Sequence, residues 1–117
     1  MWYPLHDDLA GETVGDQFGN SCAISADGSR LIVGAYHYLD YTEQVRVYRD
    51  NGSMWEQVHT PFNGDATYEQ FGTSVGMSKD GLQIIICADE NDTGFGKDQV
   101  FIDDGSSWVQ VGPDILS

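Results

Sequence analysis

Side chains able to bind or react gather in a few stretches of this 117-residue chain. Tyr36, His37, Tyr38, Asp40 and Tyr41 crowd one segment, and Asp89, Glu90 and Asp92 another. Tyrosine rings stack on ligands, and carboxylates attract cations. These eight residues form the candidate binding set, with loop packing as the alternative role for the tyrosines. His6 and His59 recur 53 positions apart, and His37 lies in another of the long connections. A metal needs such groups converging within about 2–2.5 Å of one ion. Residues that recur at a repeat spacing belong to neighbouring units instead, so no metal or other cofactor is expected. There is no nucleophile elbow, no phosphate loop and no Cys-His signature. Asp7 and Asp8 are adjacent in sequence, and nothing argues a raised pKa for either. The chain therefore reads as a non-enzyme. Two cysteines, Cys22 and Cys87, are too few for a disulfide framework. They are expected as buried thiols or as residues meeting across an interface.

Charge narrows the partners. Five basic residues stand against 19 acidic ones, a net charge of −14. That balance repels nucleic acid and anionic membrane surfaces. No apolar run approaches the ~20 residues of a membrane helix, and Met1 to Glu12 has no signal-peptide pattern. Hydrophobic residues make up 40%, enough to build a core.

The elements that position these residues come from a repeat. Trp2, Trp55 and Trp108 are spaced by 53 residues twice over. At the same offset Gln17-Phe18-Gly19 matches Gln70-Phe71-Gly72. Ser25, Asp27 and Gly28 match Ser78, Asp80 and Gly81, and Leu9, Phe62 and Ile115 form another set. The spacing is expected to slip once, where Gln44-Val45 answers Gln99-Val100. Each unit reads as four short strands, near Ser21–Ser25, Leu31–Ala35, Gln44–Tyr48 and Met54–Val58 in the first. Asp27-Gly28 and Asn51-Gly52 supply hairpin turns, because glycine reaches the positive φ they require. Phe18 and Phe71 are expected in the core, and the tryptophans against the edge of each unit.

A tandem four-stranded meander of this length predicts β-propeller blades rather than a β-sandwich. The expected organisation is one all-β partial propeller. Residues 2–14 give the fourth strand of a preceding blade and a connection, 15–58 one complete blade, and 68–111 a second. Two blades do not close a propeller. The chain is thus expected to join the remaining blades of a longer chain, or to close a ring with copies of itself.

The residues just quoted resemble the FG-GAP repeat family, best known from integrin α-subunit propellers. Phe18-Gly19 and Phe71-Gly72 look like the "FG". Gly34-Ala35 looks like the "GA", with Tyr36 where the family has proline, and the second copy reads Cys87-Ala88-Asp89. The resemblance implies a propeller blade serving binding or adhesion. Many members carry a calcium loop, D-x-D-x-D-G, between these motifs. Here the segments are Ser25-Ala26-Asp27-Gly28 and Ser78-Lys79-Asp80-Gly81, with one aspartate each. Calcium takes six to eight oxygens, so that site is not carried over.

A meander sends alternate connections to opposite ends. One end receives the short Asp-Gly and Asn-Gly turns. The other is expected to receive four long connections, 6–17, 36–43, 59–69 and 89–98. These hold twelve of the 19 acids against Lys97 alone, a local charge of −11. Long loops on a rigid scaffold are common binding sites, although an acidic surface also serves solubility. The leading expectation is a non-enzymatic module that recognises a protein or matrix partner through this acidic end. The alternative is a small lectin, its blades in an oligomeric ring and its aromatic residues stacking on sugars. A propeller glycosidase ranks below both. Asn51-Gly52-Ser53 and Asn91-Asp92-Thr93 fit the glycosylation pattern and slightly favour an extracellular setting.

Overall fold

Alternating apolar residues between glycine-bearing turns favour strands over helices. The computed structural model contains no helix among its described residues, which are 5, 6, 9, 17–36, 43–63, 69–90, 97–113 and 115–116. Sheet 1 is built from β1 (Gln17–Ile24), β2 (Arg30–Tyr36), β3 (Glu43–Asp50), β4 (Trp55–Gln57) and β5 (Phe62–Asn63). Sheet 2 is built from β6 (Glu69–Met77), β7 (Gln83–Glu90), β8 (Lys97–Asp103), β9 (Trp108–Gln110) and β10 (Ile115–Leu116). β4 and β5 both pair with β3, and β9 and β10 both pair with β8. Each pair of short strands is one fourth strand interrupted by a bulge. The molecule is therefore all-β, with two tandem four-stranded antiparallel sheets.

The repeat is visible in the backbone register. Ile32 pairs with Ala23 and Val47, as Ile85 pairs with Gly76 and Val100. Tyr48 pairs with Gln57, as Phe101 pairs with Gln110. Both first strands are irregular at the same place, between Phe18 and Ser21 and between Phe71 and Ser74. The offset is 53 throughout, which corrects the expected slip in the third strand. Val45 corresponds to Asp98, and Val47 to Val100. The matching Gln-Val dipeptides mislead because residue type does not set register; ladder hydrogen bonds and turn geometry do. The fourth strand also runs further than expected, since Phe62 and Ile115 form its second piece.

Side-chain alternation gives each sheet two faces. The front of sheet 1 carries Ala23, Ile32, Val45, Val47, Val58 and Phe62. The back of sheet 2 carries Val75, Met77, Ile84, Ile86, Phe101 and Trp108. These two faces pack together into the core, in which Ile32, Val45, Val47, Val58, Ile84 and Ile86 are buried. Phe62 sits 4.6 Å from Phe101 between ring centroids. Burial of branched side chains at roughly 1.5–3 kcal/mol each makes this the main force joining the sheets.

Candidate functional site

The strand ends define two opposite ends of the molecule. At one end lie the first residues of β1, β3, β6 and β8 and the last residues of β2 and β7. Backbone pairing there sets Tyr36 across from Glu43 and Gln17, and Glu90 across from Glu69. Asp89 pairs with Gln70, and Asp98 with Cys87 and Ile115. Tyr36 and Asp89 are repeat equivalents. Of the candidate binding set, Tyr36, Asp89 and Glu90 are thus brought to one rim by the backbone. His37, Tyr38, Asp40, Tyr41 and Asp92 lie outside the described residues.

At the opposite end the acids are occupied by their own turns. Ser25 Oγ donates to Asp27 Oδ1 at 2.9 Å, and the Ser29 amide and hydroxyl donate to the same oxygen. Asp80 accepts from Ser78 Oγ at 2.7 Å and from the Leu82 amide. Asp104 accepts from the amides of Ser106 and Ser107. Glu56 takes the Arg49 guanidinium at 2.6 Å. These hydrogen bonds favour the ionised form and hold all four carboxyls below their ordinary range. The Ser-x-Asp-Gly segments are hairpin staples of this kind, and no group of three metal-ligating side chains occurs among the described residues.

Two further aspartates tie neighbouring units together. His6 Nε2 donates to Asp50 Oδ1 at 2.7 Å, and His59 Nε2 donates to Asp103 Oδ1 at 2.8 Å. An ionised carboxylate only accepts, so Nε2 carries the proton in both. Each imidazole also stands edge-on to a tryptophan, His6 to Trp55 and His59 to Trp108, both at 5.8 Å. Both histidines adopt positive φ, 65° and 59°. That conformation costs a non-glycine residue about 1–3 kcal/mol, and the latch it permits offsets the cost. The third equivalent position is Gly112, with φ 72°, where the same backbone needs no compensation.

The second latch is the stronger. Asp103 has a side-chain exposure of only 6% and also binds Arg30 Nη1 at 2.9 Å. Burial raises its pKa, but hydrogen bonds from His59, the Gly105 amide and Arg30 outweigh that and hold it at about 2. Asp50 sits below its ordinary range through His6 and the Gly52 amide. Arg30 reaches sheet 2 from the β1–β2 turn, beside an Ala26 amide to Lys79 carbonyl bond of 2.9 Å.

Several expectations move as a result. His59 lies in the bulge of the fourth strand, and both histidines bind at the short-turn end rather than at the long-loop end. Trp55 and Trp108 are half-buried in the latch, and Trp108 Nε1 donates to the Val58 carbonyl at 3.4 Å. Each packs against its latch histidine. Trp2 and the side chains of Phe18 and Phe71 lie outside the described part. Cys22 pairs with Val33, as expected, but the thiols are not both buried as expected: Cys22 is exposed and Cys87 half-buried, and no disulfide joins them. The latch itself was missed, although its partners recur at the repeat spacing: His6 with His59, and Asp50 with Asp103. No known family, curated protein or solved structure matches the chain.

Proposed function

We propose that the protein is a non-enzymatic binding module of propeller type that recognises a basic segment of a protein or matrix partner through its acidic long-loop end. The observation carrying this reading is how the carboxylates sort. Outside the four long connections stand seven acids. Six of them, Asp27, Asp50, Glu56, Asp80, Asp103 and Asp104, accept hydrogen bonds within the fold. The other twelve acids fall in the four long connections of the sequence with one lysine, and the backbone of those described, Glu43, Glu69, Asp89, Glu90 and Asp98, lies at the strand ends of the opposite rim. A field of one sign on one end steers a basic partner and speeds encounter. The resemblance to FG-GAP blades points the same way.

The test is binding of a lysine-rich peptide to the intact protein across a salt series. Affinity should fall about tenfold or more as salt rises from 50 to 500 mM, because screening shortens the reach of the field. Asp89→Asn with Glu90→Gln should weaken binding further. Salt-independent binding, or binding untouched by these changes, contradicts the reading.

A further inference from the structure

The two outer faces of the sheet pair are not alike. The front of sheet 2 repeats the positions that sheet 1 buries against sheet 2, and here they are more exposed, with Ile85 and Val100 half-buried. Val58 is 6% exposed, whereas its equivalent Val111 is 46% exposed. Ile115, equivalent to Phe62, is 55% exposed, and Ile102 is 42% exposed. A groove of about 460 Å³, lined in part by Gly76, Ile85 and Val100, opens on this face.

The back of sheet 1 repeats the positions with which sheet 2 closes the core: Cys22, Ile24, Leu31, Val33, Arg46 and Tyr48. Its Val33, Arg46 and Tyr48 are buried although no sheet lies on that side among the described residues. His6 binds here, to Asp50 and against Trp55. Leu5, His6 and Leu9 are the equivalents of Val111, Gly112 and Ile115. Leu5, His6 and Leu9 therefore stand where Val111, Gly112 and Ile115 of another copy would stand in a repeat of the existing interface.

We infer that the front of sheet 2 is a docking surface for the back of sheet 1 of a second copy, and that Leu5, His6 and Leu9 block this association by occupying the same place. The occupant follows from the interface already present, which shows what this front face packs against. Of the two competing fourth strands, residues 108–116 pair with β8 along two strands. Leu5, His6 and Leu9 lie in no strand, and Leu5 is 53% exposed. These residues are the ones that yield. The contact is head-to-tail, so it closes into rings or extends into chains.

The test is sedimentation velocity of the full-length protein over a concentration series. His6→Gly removes the latch and keeps the backbone conformation, as Gly112 does. Asp50→Asn weakens the latch from the other side. Each should raise the self-association constant about tenfold over the wild type, since one charge-assisted hydrogen bond is at stake. Adding Ile115→Asp, at an exposed position, should return either variant to monomer. Circular dichroism confirms that each variant is folded. Association unchanged in both latch variants, or undiminished by Ile115→Asp, overturns the inference and leaves the face to a different protein.

Discussion

At the scale of single residues, Asp103 holds more of the molecule together than any other charged group described. One carboxylate receives His59, Arg30 and the Gly105 amide. Its pKa is about 2 in the folded protein against an ordinary 3.8. A depressed value means that the stabilisation is complete above the unfolded pKa. It is lost as pH falls from about 4 toward 2, where the unfolded chain takes up a proton more readily. Urea unfolding at pH 7 and pH 3 should show that loss in the wild type and a smaller one in Asp103→Ala. At pH 7 the same substitution should cost about 3 kcal/mol, because Arg30 and His59 lose their shared partner. A second test concerns two glycines at equivalent turns. A Cβ on Gly81 would come within 2.7 Å of the Arg30 side chain, whereas one on Gly28 meets only Ile24 at 4.0 Å. Both have positive φ, so conformational strain is common to the two alanine variants. Gly81→Ala should lower the urea midpoint more than Gly28→Ala, and the difference measures contact between the units.

At the scale of elements, two strands of the same type have different neighbours. Val58 and Val111 follow β4 and β9 and make the same backbone bond, to Val47 and to Val100, each at 2.7 Å. Only Val58 lies between sheets. Val58→Asp should unfold the protein, and Val111→Asp should leave its thermal midpoint within a few degrees, because only the first buries an unpaired charge. Much at this level was legible beforehand. Spacing of Trp55 and Trp108, Asp-Gly turns and period-two runs located the strands, because each reports a local requirement of backbone or pleat. Register in β3 and β8 was not legible. Gln44-Val45 and Gln99-Val100 look alike, while hydrogen bonding aligns Val45 with Asp98. The latch escaped for a related reason. His59 and Asp103 are 44 residues apart, and only packing of two sheets brings them together. Arg30 gives no repeat signal at all, since Gln83 holds the equivalent place.

At the scale of the whole molecule, charge and shape divide the work. The short-turn end uses its carboxylates to staple hairpins and lock the units. The sheet pair supplies a rigid frame through an apolar interface. At the long-loop end the strand ends carrying Tyr36, Glu43, Glu69, Asp89 and Glu90 meet. Backbone amide NMR during titration with a lysine-rich peptide at low salt tests this division most directly. The account predicts shift changes at residues 17, 36, 43, 69, 89–90 and 97–98 and in the connections between them. Residues 25–29, 51–54, 78–82 and 104–107 should stay unchanged, and the changes should fade as salt rises. Changes centred on those four turns, or spread evenly over both ends, would contradict it.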